Sequence, residues 1–201
     1  MCRTPDALTG SGVSCYNGGT FVRGVIAGVS AAWIPPDRYQ AIRAEMGVRD
    51  QLIADVLYTT GYRLDDIMWA RVWQLRAPVL SIVERKTGKQ RAVQLPDDLH
   101  ARLCAALRDR AALAYAWPCL RRAGRRKQHR STFWRHFGAA TAAAGYADCG
   151  YTPHSLRKCY AVEALQRTHS LAAVQADLGH AYIGTTAIYA LSAVVGRDSA
   201  G

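Results

Sequence analysis

Side chains suited to gripping an anion and moving protons recur along this chain at telling spacings. Thr60-Gly61-Tyr62-Arg63 puts a guanidinium where a helix should begin, and Asp66 follows three residues later, one turn on along the same face. Lys86 opens the run Lys86-Thr87-Gly88, with Lys89 beside it. His154 and Arg157 stand at i and i+3 of a helical stretch and face one direction. Leu178-Gly179-His180 closes another, and Tyr189 comes nine residues after that histidine. A guanidinium is planar, permanently charged and able to meet two oxygens of an oxyanion at once. An imidazole exchanges its proton near neutral pH, whereas a phenol, with a pKa of about 10, becomes a nucleophile only as its proton leaves. Taken singly, each group has an ordinary structural account: surface ion pair, turn lysine, helix cap, core aromatic. Taken together and in this order, they point to one shared site.

The elements that must position these groups are readable from periodicity. Pro35 and Pro36 before Asp37 signal a helix start, and Tyr39, Ile42 and Met46 recur at helical spacing. A second helix is expected over Val48 to Thr59, with Leu52, Val56 and Leu57 inward and Gly61 as its C-cap. Short β-branched runs then predict strands at Arg71 to Leu75, Val79 to Val83 and Ala92 to Leu95, the last two joined by the polar tip Glu84 to Arg91. Helical patterns return over Asp97 to Leu113, Ser131 to Ala144 with Ser131 as N-cap and Gly145 as the stop, Pro153 to Gln166, Leu171 to Leu178 and Thr185 to Leu191. The fold class is therefore mainly α with a small antiparallel β-sheet. Residues 1–32, with Thr9-Gly10-Ser11-Gly12 and Asn17-Gly18-Gly19, read as a flexible or irregular lead-in to a domain over 33–191, and 192–201 as a short tail. There is no internal repeat.

Half of the 201 residues are hydrophobic, enough for one sizeable core, and 26 Lys and Arg against 15 Asp and Glu leave a net charge of +11. Such a surface favours a polyanion, nucleic acid or an acidic membrane face. Much of the charge gathers in Arg121-Arg122-Ala123-Gly124-Arg125-Arg126-Lys127-Gln128-His129-Arg130; alone such a run is a solvated surface, and beside other DNA-directed features it becomes a phosphate contact. Phe133 and Trp134 beyond it read as core residues rather than base-stacking platforms. No apolar run approaches the ~18 residues a membrane span requires, and no signal-peptide pattern opens the chain, so a cytoplasmic protein is expected. The six cysteines lack a C-x-x-C pair or zinc-ligand spacing and read as reduced thiols.

In the order and spacing of these groups the sequence resembles the tyrosine recombinase, or phage integrase, family. The resemblance covers the Arg63 box with Asp66, the lysine hairpin, His154-Ser155-Leu156-Arg157, the Leu178-Gly179-His180 turn and Thr185-Thr186-Ala187-Ile188-Tyr189, over Trp33 to Leu191. It implies the catalytic-domain fold of that family and an enzyme that cuts and rejoins DNA through a 3′-phosphotyrosyl intermediate. Tyr189 would be the nucleophile. Arg63 and Arg157 would neutralise the non-bridging oxygens of the scissile phosphate, with a further hydrogen bond from His180. His154 would be the base or proton-handling partner, Lys86, or Lys89 in its place, the general acid for the departing 5′-oxygen, and Asp66 a support for the arginines and histidines. No metal or nucleotide cofactor is implied, because arginines and lysine supply the charge neutralisation. Arg121, Arg122, Arg125, Arg126, Lys127 and Arg130 would contact the DNA backbone. Lys158 stands after the second arginine where the family often has histidine or arginine, and keeps the charge.

Some thirty residues precede the domain, too few for the N-terminal clamp that most of the family carry, so the chain resembles a fimbrial-type DNA invertase or a truncated integrase. The expected partners are double-stranded DNA, further copies assembled as a homo-tetramer on DNA from chains monomeric when free, and an accessory DNA-bending protein or partner recombinase; a membrane is not among them. The short tail after Tyr189 bears against the usual exchange of a C-terminal helix between subunits. Two alternatives stand beside this reading: a catalytically defective DNA-binding regulator of the same fold, and a type IB topoisomerase-like enzyme.

Overall fold

The computed structural model describes residues 15–17, 20–22, 31–119 and 126–178. Helices dominate them. The first described residues form an antiparallel pair, β1 (Cys15–Asn17) and β2 (Thr20–Val22), in register from Cys15 opposite Val22 to Asn17 opposite Thr20. Within the expected flexible or irregular lead-in, Cys15–Asn17 and Thr20–Val22 thus carry regular structure that their composition conceals.

Helix α1 (Pro36–Ala44) starts with proline in its first turn, where the missing N–H costs nothing, and α2 (Val48–Thr60) follows. Leu52, Ile53, Ala54, Val56 and Leu57 are all buried, which makes α2 the central helix of the core. It ends at Gly61, whose φ of 63° is left-handed, and a Cβ there would run into the Tyr160 ring. Arg63 is thereby delivered as the N-cap of the short α3 (Leu64–Met68).

The expected strand over Arg71 to Leu75 is instead helical: α4 spans Val72–Leu75. Val72 and Leu75, three apart, point inward together, whereas a strand would have paired Leu75 with Trp73, which is half exposed. Gln74 Oε1 also accepts the Arg71 N–H at 2.8 Å, satisfying a donor at the start of that turn. The second sheet is a single hairpin, β3 (Val79–Val83) with β4 (Gln90–Gln94), paired from Val79 opposite Gln94 to Val83 opposite Gln90. β4 starts two residues earlier than the apolar pattern indicates, because pairing to β3 recruits Gln90 and Arg91.

Helix α5 (Asp97–Ala106) stops short of Leu113. The carbonyls of Ala112 and Ala114 are taken by the N–H groups of Trp73 and Val72, a tertiary pairing that draws the chain out of helix. Helix α6 (Arg130–Ala143) is capped by the His129 ring, which accepts the Ser131 N–H at 3.3 Å, rather than by Ser131 itself, and Gly145 follows at φ 85°. Phe133 is fully buried, but Trp134 keeps 38% exposure and is only partly a core residue. Helix α7 (Pro153–Thr168), beginning at the Thr152 cap, packs along α2, and α8 (Leu171–Leu178) folds back on α7. The helix expected over Thr185 to Leu191 lies outside the described residues. Among the described residues no helix is long and apolar enough to cross a membrane.

Candidate active site

Three elements carry the described candidate groups, the α2–α3 corner, the β3–β4 hairpin and the first turns of α7, and the end of α8 meets them through Arg157. Arg63 Nη1 donates to Glu84 Oε2 at 2.5 Å, and Arg157 Nη1 lies 4.0 Å from Glu84 Oε1. Glu84 is 2% exposed and also accepts from Thr87 Oγ1 at 3.0 Å. The two guanidiniums, remote in sequence, thus face the two oxygens of one buried carboxylate.

Arg157 is itself buried and holds the corner together. Its Nη1 donates to the Gly61 carbonyl, and its Nη2 to the Leu178 carbonyl at 2.6 Å. A carbonyl at a helix end is an orphan acceptor, and a cation there also suits the helix dipole. One side chain therefore ties the end of α2 to the end of α8. Lys158 turns away and donates to the Ala31 carbonyl.

His154 stands one turn before Arg157, is open to solvent on one side, and on the other meets the Trp134 ring edge-on at 5.7 Å. Partial burial, then the positive charges of Arg157, Arg130 and Arg63, hold its pKa below the ordinary imidazole range. A depressed value keeps the ring neutral at pH 7, the form a base requires.

Lys86 and Lys89 are exposed in the hairpin turn. The turn is closed by Gly88 N–H to the Glu84 carbonyl at 2.8 Å and Glu84 N–H to the Lys89 carbonyl at 2.9 Å, so the residue that faces the arginines also anchors the lysine-bearing tip. Asp66 Oδ1 accepts the Arg85 N–H at 2.9 Å. Burial pushes the Asp66 carboxyl up, Glu84 adds to this, and the Arg85 N–H, Arg63 and Arg157 oppose it. Asp66 thus braces the base of the hairpin, while the direct carboxylate partner of Arg63 is Glu84.

His180 and Tyr189 lie outside the described residues, as do Arg121, Arg122 and Arg125. Of the remaining basic candidates, Arg126 and Arg130 are exposed, and Lys127 sits over the Trp69 ring with its Nζ 4.7 Å from the centroid. Arg85 stacks on the same ring at 4.2 Å. Glu84 is not singled out by its sequence context, because a lone acid in a polar turn carries no periodic signal. Trp134 is hidden for a different reason: an aromatic beside Phe133 on a helix reads as core.

Comparisons with known proteins give the family and the fold. The chain belongs to the phage integrase family, whose model matches residues 33–194. It is similar to the tyrosine recombinase XerA of Pyrococcus furiosus, 31% identical over 145 residues, which is 71% of this chain and 50% of that protein. It is also similar to the tyrosine recombinase XerD of Pseudomonas putida, 34% identical over 169 residues, 81% of this chain and 55% of that protein. The chain thus spans about half the length of the curated relatives it matches. Its fold is that of the XerA recombinase crystal structure, with a TM-score of 0.66 at 23% identity over 79% of this chain and 58% of the other. The lambda integrase catalytic core matches with a TM-score of 0.56 at 21% identity, over 74% of this chain and 91% of that one. The fold is therefore that of a tyrosine recombinase catalytic domain, mainly α with a small antiparallel sheet.

Proposed function

We propose that this chain is the catalytic part of a site-specific DNA recombinase, working on cytoplasmic DNA, which cleaves a strand with Tyr189 and rejoins it through a 3′-phosphotyrosyl intermediate. The catalytic unit in this reading runs over 33–191, with 1–32 before it and 192–201 after. The observation that carries it is the convergence of Arg63 and Arg157 on the two oxygens of Glu84. A phosphodiester presents two non-bridging oxygens in a comparable fork, and their charge grows as phosphorus becomes five-coordinate. In the productive complex the phosphate takes the carboxylate's place beside Arg63 and Arg157, the Glu84 side chain turns aside, and Lys86 at the exposed tip of the same hairpin reaches the leaving 5′-oxygen. His180 adds a hydrogen bond to the phosphate. His154, neutral at pH 7, accepts or relays the phenolic proton. Asp66 keeps the hairpin base in place through the Arg85 N–H. Arg126, Lys127 and Arg130, together with Arg121, Arg122 and Arg125, hold neighbouring backbone phosphates of the duplex. Because a rejoined end must come from a second cleaved strand, the chain acts as a homo-tetramer on DNA, with an accessory DNA-bending protein or a partner recombinase where its own grip is insufficient.

The test is trapping on nicked suicide duplexes built from the DNA flanking the coding region. A covalent adduct that disappears in Tyr189→Phe is expected. Arg63→Ala and Arg157→Ala should slow its formation by roughly 100- to 1000-fold, with much smaller losses of binding. Binding without any adduct on such duplexes would favour a DNA-binding regulator, and relaxation of supercoils with no site preference a topoisomerase.

A further inference from the structure

Besides the bond from Arg157 to the Leu178 carbonyl, the last turn of α8 is held by a second set of polar contacts. α8 has eight residues, too few to be stable alone, and its buried residues are Val174 and Leu178, one stripe laid against Tyr160, Ala161 and Ala164 of α7. A two-residue apolar stripe lets a short helix roll or slide on its neighbour. Asp177 supplies the missing constraint. Its Oδ1 accepts from Arg91 Nε at 2.9 Å, and its Oδ2 accepts from the Tyr160 hydroxyl.

Both halves of this pair are unusual where they stand. A carboxylate in the last turn of a helix sits at the negative end of the dipole and needs a cation beside it. The Arg91 side chain is 9% exposed and lies between the rings of Tyr62 and Tyr160, at 4.7 and 5.3 Å from their centroids; among the described residues it finds no hydrogen-bond partner for Nη1 or Nη2. A buried guanidinium in that position depends heavily on its one anionic partner. The contacts also close on themselves. The Arg91 carbonyl accepts the Tyr62 hydroxyl at 2.5 Å, Tyr62 adjoins Arg63 and Gly61, Arg157 donates to Gly61 and to Leu178, and Leu178 follows Asp177. Moving the end of α8 therefore disturbs both site arginines.

We infer that Arg91, Asp177 and Tyr160 are positioning residues: a latch that fixes the last turn of α8 against α7 and the β3–β4 hairpin. The functional half of this inference rests on the recombinase reading; the latch itself rests on the contacts. Among the described residues, their polar side-chain and ring contacts are with one another and with Tyr62. Their effect is on the alignment of Arg157.

The experiment compares the 201-residue chain with Asp177→Asn, Tyr160→Phe, Arg91→Lys and Arg91→Ala, on a nicked duplex that traps the unaltered protein. Asp177→Asn should slow adduct formation by roughly 10- to 100-fold while duplex affinity stays within about three-fold, the split expected of a residue that supports catalytic groups rather than binding. Millimolar guanidinium ion should restore a large part of the rate lost in Arg91→Ala, by refilling the slot between the two tyrosines, and Arg91→Lys should fall between. Hydrogen exchange gives a readout independent of activity: amides of 174–178 should lose protection in Asp177→Asn while those of α2 keep theirs. If Arg91→Ala does not fold, Asp177→Asn and Tyr160→Phe decide the matter. The latch is overturned if Asp177→Asn leaves α8 exchange unchanged. The positioning role is overturned if that variant cleaves at the unaltered rate, or loses binding and cleavage in equal proportion. Absence of any adduct with the unaltered protein overturns the recombinase reading and the positioning role with it, and the exchange arm alone then judges the latch.

Discussion

Replacing Glu84 with glutamine keeps its shape and removes its charge from between two guanidiniums. At the 4.0 Å separating Glu84 Oε1 from Arg157 Nη1, the attraction is about 4 kcal/mol at an effective dielectric of about 20, and the 2.5 Å contact with Arg63 is stronger. Against this stands the cost of burying the carboxylate, which is 2% exposed. Removing one partner of a buried pair typically costs about 3 to 5 kcal/mol, because the remaining charge is left uncompensated. Here two cations would be left facing each other. For a chain of this size each kcal/mol lowers the melting temperature by about 2 to 4 °C, so Glu84→Gln should melt roughly 6 to 20 °C below the unaltered protein. Inorganic phosphate at fixed ionic strength should then recover much of the loss by entering the vacated position, with a much smaller effect on the unaltered protein, where the carboxylate competes. Differential scanning calorimetry in phosphate and in chloride reads both effects. Equal melting temperatures, or an equal rise of both proteins in phosphate, would refute the idea that Glu84 occupies the anion position.

In the recombinase reading the depressed pKa of His154 should set the acid side of the cleavage profile. With the folded value below the ordinary 6.5, the neutral base persists below that pH, so the acid limb should lie beneath it; Arg130→Gln removes one of the depressing charges and should move the limb upward, and a limb that stays put would contradict the assignment. The same shift makes the unfolded chain take up the His154 proton first, so this group's contribution to stability is present above the unfolded pKa of about 6.5 and falls as pH drops through that value. Gly61→Ala forces a left-handed residue at about 1 to 2 kcal/mol and pushes a methyl against Tyr160, so it should lower the melting temperature measurably; an unchanged melt would show that the α2 corner relaxes freely. Duplex affinity should fall steeply with salt, and Arg126→Ala should reduce the log-log slope by about one; a flat salt response would remove DNA phosphates as the partner of the basic surface.

Several elements of this fold are legible in local chemistry alone. Prolines and caps mark α1 and α7, helical spacing marks α2, and a glycine needing positive φ marks its end, because each is a property of a few consecutive residues. Other segments depart from their local pattern. Residues 71–75 have the composition of a strand but become α4, and α5 stops at Ala106, because backbone groups near Val72 pair with the segment around Ala112 and Ala114. β1 and β2 are hidden in a glycine-rich stretch whose composition carries no alternation.

The same division holds at the site. Order and spacing alone determined the residue types, the family and the named candidates Arg63, Lys86, His154 and Arg157, since such motifs are short and the chemistry demands particular side chains. Only tertiary structure decided what those side chains meet: that Arg63 pairs with Glu84 rather than Asp66, that Asp66 braces the hairpin, that Arg157 joins Gly61 to Leu178, and that Arg91 reaches Asp177. These are contacts between residues remote along the chain. Their selection is made by burial and charge once the core has brought α2, α7, α8 and the hairpin together, and no local pattern encodes which carboxylate a buried guanidinium will find.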